Sequence, residues 1–266
     1  MNTITALKAL VVGLLLANSI VAADYYWVHP SGPASANWSN PANWRTTSGG
    51  ATAHTTLPTA SDNVIFDANS FSTTGLTVVV DVAATCANIT WTGATNNPTF
   101  AINNPLTIHG NLTFITGMAV SGTGTVTFAG GNTQTITMAG KSFGGNVIFN
   151  KDVGTTASLA DAFATSGDLI FTQGDFHSNN HSISAANFSL TGSNARNVNL
   201  GTSMVNLSGT SFLATATAAA VLTSNNATFN FTNTTAAITV DLGSAVGRTF
   251  GNFVFAATTS ARNITL

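Results

Sequence analysis

The 266-residue chain contains no glutamate, a single cysteine, only three lysines and, beyond residue 23, no apolar run long enough for a membrane helix. Each absence removes a class of protein. Charged residues make up 6% of the chain, far below the usual quarter. No basic field therefore exists to attract nucleic acid, and no DNA-binding motif is present. Without glutamate and with so little lysine, the usual faces of helical repeats cannot be built. The lone Cys86 allows no internal disulfide framework, and its place ahead of the apolar ANITW segment suits a small buried side chain. A chain without cross-links or abundant charge must be held by a large core or a continuous sheet. Its 44% hydrophobic content speaks against disorder, and Thr, Ser and Asn are left to solvate the surface.

The first feature present is an export signal. Lys8 gives a positive start, Ala9 to Ala17 (ALVVGLLLA) an apolar segment, and Val21-Ala22-Ala23 a small-residue cleavage site before Asp24. Residues 1–23 are thus expected to be a signal peptide. The mature chain is expected to be secreted, extracellular or at the cell surface, with no membrane span. Once Lys8 is removed, six basic residues face nine acids, a net charge of −3.

The second feature is repetition. Ten similar pentads occur: DNVIF at Asp62, ANITW at Ala87, GNLTF at Gly110, GTVTF at Gly124, GNVIF at Gly145, GDLIF at Gly167, ANFSL at Ala186, SMVNL at Ser203, ATFNF at Ala227 and GNFVF at Gly251. Their starts are separated by 25, 23, 14, 21, 22, 19, 17, 24 and 24 residues, the scale of a solenoid coil. Positions three and five are apolar, as in Val147 and Phe149, and a period of two puts both on one side of a strand. A weaker alternation half a coil later, at Phe100/Ile102, Ile136/Met138 and Val198/Leu200, adds another strand to each coil.

The expected fold is all-β: a right-handed parallel β-helix, or β-solenoid, of about ten coils with an aromatic-rich N-terminal cap. Ten rungs at about 4.8 Å make it roughly 48 Å long, and its hand follows the general rule for parallel crossovers. Leucine-rich-repeat spacing is absent, and a β-sandwich or antiparallel barrel is the structural alternative. The 14-residue interval ahead of Gly124 suggests a pentad on another face.

Residues 24–61 break the pattern and hold Trp27, Trp38 and Trp44, both tyrosines and four of the six prolines. They are expected to cap the first coil, since an open sheet edge invites further pairing. The three indoles are also candidate ligand-binding residues, a platform on which sugar rings would stack. Residues 62–266 carry the repeats. ARNITL at 261–266 echoes ARNVNL at 195–200 but stops mid-strand, which suggests a fragment truncated at its C-terminus or an end that stacks on another copy.

Catalysis on such a scaffold needs two carboxylates a few ångströms apart, or acids holding calcium beside a base. Asp152 and Asp175 occupy near-equal offsets of adjacent coils, about 5 Å apart, with Lys151 and His177 alongside. Asp152, Asp175 and His177 are the catalytic candidates of an alternative function, a polysaccharide lyase or glycoside hydrolase. The plainer reading is a surface turn in which Lys151 offsets the acids. GDFHSNNH, residues 174–181, offers Asp175, His177 and His181 to a metal only in principle, because the H-x-x-x-H spacing with its Glu is missing. No metal or cofactor is expected. No nucleophile elbow, phosphate loop or dinucleotide fingerprint occurs. Ten N-x-S/T sequons, Asn88 and Asn111 among them, are what so Asn- and Thr-rich a chain produces by chance.

YYWV, NWSNPANW, LPTASDNVIFDANSF and TCANITWTG resemble the opening of repetitive exported surface proteins of bacteria, and similar runs occur in phage virion-associated proteins. GTVTFAGGNTQTITMAGKSFGGNVIF and ARNVNLGTSMVNLSG resemble their shared coils. The likeness covers nearly all of residues 25–266, and HPSGP at 29–33 departs from it where a glycine-richer turn is the pattern. The resemblance implies a β-helix serving as an extracellular structural or adhesive part. The expected function is a secreted, non-catalytic β-solenoid surface protein, structural or adhesive. Its expected partner is extracellular polysaccharide or cell-surface glycan, met through the aromatic segment or a flat strand face.

Overall fold

The computed structural model describes residues 22–217, 219–243, 248–257 and 262–265. The expected signal peptide therefore lies almost entirely outside the described residues. Among them, no helix is long and apolar enough to cross a membrane.

A run such as Val147–Lys151, buried at its first, third and fifth positions, is too short to be stable alone. It pairs in register with the equivalent runs one coil away, Val126–Gly130 before it and Leu169–His177 after it. Parallel pairing of this kind continues along the chain and builds a β-solenoid with three walls. The first wall starts with Asp24–Trp27, Asn63–Ile65, Ile89–Thr90 and Leu112–Thr113, and continues through Gln134–Thr137 and Thr156–Leu159. It then takes the second half of Leu169–His177, Arg196–Asn199 and the start of Ala220–Phe231.

The second wall runs from Ala84–Cys86 to Arg262–Thr265 in nine strands, which is eight turns. The third wall comes in two stretches. Ser35–Asn37, Thr77–Val80, Thr99–Ile102 and Ala119–Ser121 form a four-stranded sheet. Phe163–Ala164, Ile183–Ala185, Met204–Leu207 and the ends of Ala220–Phe231 and Arg248–Phe255 take the same place in later coils.

The pentads do not form one ten-rung wall. Those starting at Asp62, Ala87 and Gly110 lie on the first wall. The next four, Gly124 to Ala186, lie on the second, and the last three on the third. The two shortest intervals, 14 and 17 residues, are the points where the motif moves two walls along within one coil.

Inside, position five of the first three second-wall pentads stacks ring on ring. Phe128, Phe149 and Phe171 have centroids 5.2 and 5.4 Å apart and interplanar angles of 16° and 12°. Offset stacks of this kind add to the burial of large apolar side chains. Cys86 heads the same column, fully buried.

Four long polar side chains point inward near the corner joining the second wall to the first, and each donates to main-chain carbonyls exposed where the chain bends. Gln134 Nε2 donates to Ile108 O and Gly110 O, both at 2.8 Å. Lys151 Nζ donates to Ala129 O at 2.8 Å. Arg196 reaches Thr172 O and Thr191 O, and Arg248 reaches Ala214 O and Leu242 O. Such carbonyls would otherwise be costly to bury.

Candidate functional site

The N-terminal aromatics are interior. Trp27, Trp38 and Trp44 are 0%, 1% and 0% exposed. Trp44 meets Trp27 and Trp38 edge-on at 4.8 and 4.7 Å, and its Nε1 donates to Trp38 O at 2.9 Å. A sugar ring cannot stack on them without opening this cluster, so they are not the surface platform that their number suggested. The strand Trp44–Arg45 lies antiparallel on Asp24–Trp27 and covers the edge of that first rung. The outer side of the same segment holds a cleft of about 410 Å³ lined by three prolines, Pro30, Pro33 and Pro41, and by polar residues including Asn37 and Asn40.

Most acids serve the backbone. Asp62 accepts from Ala23 N, Thr59 N and Thr59 Oγ1 at 2.9, 2.8 and 2.6 Å. Burial would raise its pKa, but these donors outweigh that and hold it below the ordinary carboxylate value. Asp81 accepts from Ser39, and Asp161 from Met138 N and Ala139 N. Asp152 and Asp175 differ. Among the described residues their carboxylates accept no protein hydrogen bond.

The structure separates those two acids by role. Asp175 registers with Thr156 and Asn197, not with Asp152, and its N–H donates to Thr155 O at 2.9 Å. Asp152 opens the exposed turn before Thr156 and belongs with Lys151 and His109. The near-equal offsets overlooked this turn, which shifts the register between walls. Lys151 is 1% exposed and is therefore not the surface counter-charge expected of it. Burial lowers its pKa to about 8, against a partial restoring effect from Asp152. His109 is lowered too, by burial first and then by Lys151.

The Lys151 shift predicts a pH dependence. Below pH 8 both folded and unfolded states carry the ammonium, and the folded state bears the full cost of burying it. As pH rises the folded state loses its proton first, so the unfolded state binds more protons and stability rises. Between pH 8 and 9 the gain is about 1 kcal/mol. From about pH 8 upward the buried Cys86 thiol, whose pKa burial pushes up, works in the opposite sense, because only the unfolded state ionises it. In urea unfolding Lys151→Met should lose stability from pH 8 to 9, because only the Cys86 effect remains, and wild type should gain about 1 kcal/mol relative to it; an equal slope in both proteins would refute the assignment.

His177 lies on the first wall between Ser158 and Asn199 of the adjacent rungs. Beside it is a polar pocket of about 180 Å³ lined by His177, Asn179, Asn180, Asn199 and Gly201. Asn179 and Asn180 hold it open in left-handed turn conformations, φ 51° and 66°, which Asn tolerates better than most residues. Asn180 Oδ1 accepts from Thr202 N at 2.9 Å and Asn199 Oδ1 from Gly201 N at 3.1 Å. Both Nδ2 groups and the imidazole make no hydrogen bond to the described residues. His181 does not line this pocket, and among the described residues no three metal-ligating side chains gather.

The asparagines at position two of the pentads have a role that composition conceals. Asn88 Nδ2 donates to Asn63 Oδ1 at 2.7 Å, and Asn88 Oδ1 accepts from Asn111 N at 2.6 Å. Asn111 Oδ1 accepts in turn from Thr135 N at 2.8 Å. A second ladder joins Asn146, Asp168 and Asn187. The signal was present in the repeated second letter of the motif.

Compared with known proteins, the chain matches no family model, no curated protein and no solved structure. What stands of its resemblance to bacterial surface and phage proteins is the β-solenoid itself.

Proposed function

We propose that the chain is an exported, non-catalytic β-solenoid that serves as a rigid structural and adhesive element at the cell surface, with carbohydrate as its partner. The observation that carries this reading is the division of labour across each wall. Inward positions are mostly apolar, apart from the polar corner and a few hydrogen-bonded hydroxyls such as Thr165, Ser178 and Ser203, while many outward positions set uncharged hydroxyls and amides in rows one rung apart. Thr85, Thr107 and Thr127 register in this way on the second wall, and Thr90, Thr113 and Thr137 on the first. Hydroxyls and amides at regular spacing suit a hydroxyl-rich polymer, and parallel pairing makes the spacing stiff. The signal-like segment from Lys8 to Ala23 supports export.

The test is retention of the purified full chain on immobilised neutral and uronic-acid polysaccharides, with new chain ends assayed in the same samples. Retention without new ends is expected. New chain ends would replace this reading with a polysaccharide-cleaving enzyme, and absence of retention on every polymer would remove carbohydrate as the partner.

A further inference from the structure

We infer that the first wall around His177 is a carbohydrate-binding site that takes a single sugar ring through Asp175, His177, Asn197 and Asn199, with Asn180 closing one side. The inference rests on the proposed adhesive function and gives it an address.

Parallel register creates the site. Asp175 and His177 are alternate, half-buried, outward residues of one strand, and their partners one rung on are Asn197 and Asn199. The four side chains form a two-by-two array. Rungs lie about 4.8 Å apart and alternate residues about 7 Å apart, so an object the size of one pyranose reaches all four. The adjoining cavity of about 180 Å³ is smaller than the ~300–1,000 Å³ of drug-sized sites and comparable to one such ring.

The chemistry selects the ligand class. Asp175 only accepts hydrogen bonds, the carboxamides of Asn197 and Asn199 both donate and accept, and the imidazole does either. The Asp175 carboxylate and the Asn199 and Asn180 Nδ2 groups have no hydrogen-bond partner among the described residues. A phosphate or sulfate would meet the Asp175 charge. A metal ion would find one carboxylate and one imidazole, fewer than a protein site supplies. Hydroxyls that donate and accept in turn use the whole set.

Val221 follows Asn197 in the same column and is 38% exposed. It gives an apolar edge for the C–H side of the ring. Among the described residues, rows elsewhere on the walls offer hydroxyls, Ile148 and Ile170, or amides already bonded to one another such as Asn206 and Asn230, and none combines an acid, an imidazole and paired amides on adjacent rungs.

The experiment measures retention of the full chain on the same polysaccharide panel, then titrates the best-retained polymer's oligosaccharide into wild type and into Asp175→Ala, His177→Ala and Asn199→Ala. Each substitution is expected to weaken binding at least tenfold with an unchanged urea midpoint. Asp152→Ala, on the exposed turn, should bind as wild type does. The oligosaccharide should also shift an imidazole NMR signal that His177→Ala deletes, a readout that does not depend on the variants' affinity. If wild type is retained and the three variants bind equally well, the site is wrong and the adhesive reading stands. If wild type is retained by nothing, both fall. Cleavage that requires Asp175 would make the array catalytic and overturn the binding assignment.

Discussion

Replacing Gly145 by alanine is expected to lower the unfolding free energy by about 3 kcal/mol, the upper part of the range for forcing an extra methyl into a packed interior. At the first position of the second-wall pentads that begin with glycine, successive coils approach main chain to main chain. A methyl on Gly145 would fall on the carbonyl oxygens of Thr123 and Gly124, and one on Gly167 would fall on the backbone of Gly145 and Asn146. Gly124 stands in the same relation to Asn104. Backbone atoms cannot rotate aside as a side chain can, so the rungs themselves must part. The natural comparison is Gly154, in an open turn with φ +78° and nothing within 4 Å of an added methyl. Alanine there meets only the left-handed backbone penalty, about 1 kcal/mol. Urea midpoints of the two variants measured side by side decide the matter. If Gly145→Ala is as mild as Gly154→Ala, close approach of the coils is not why the pentads at Gly124, Gly145 and Gly167 begin with glycine.

Parallel strands, coil length and the inward-facing third and fifth positions were legible because burial imposes a period of two that any strand must show. The distribution of the pentads over three walls was not. Val64, Val147 and Val205 each begin an inward pair, and one triangular coil uses the same pattern on all its sides. Only the intervals carry the difference, and 14 and 17 are informative once a whole coil is known to take 19 to 25 residues.

The inward Lys151 and Arg196 were also hidden, because Ala129 O, which receives Lys151, and Thr172 O, one of those that receive Arg196, lie 22 and 24 residues away on another coil. A charged residue in a polar segment otherwise reads as surface. His177 was visible as an unusual residue, whereas its neighbour Asn199 becomes a neighbour only through the register. Aromatic residues in a proline-rich segment gave the opposite difficulty. Proline interrupts the alternation that would have told buried from exposed, and the same indoles suit a core or a platform.

That ambiguity makes Trp44→Ala the most discriminating substitution in the chain. A surface indole that stacks on sugar would lose glycan retention on truncation and leave the fold intact. The buried Trp44 predicts the reverse. Its ring fills the space between Trp27 and Trp38, with Tyr25 edge-on at 6.2 Å, and its strand covers the first rung. Truncation removes the ring and leaves a cavity, a loss of about 3–5 kcal/mol. The Trp38 carbonyl also loses its donor. A large fall in the urea midpoint is expected, with oligosaccharide affinity unchanged under conditions where the variant remains folded. Asp175→Ala should do the opposite, keeping the midpoint and losing the ligand. Crossed outcomes in one pair of proteins would separate what holds the wall together from what the wall holds. If instead Trp44→Ala abolished binding and left the midpoint untouched, the indole would have to lie at the surface, and the aromatic segment would be the adhesive face.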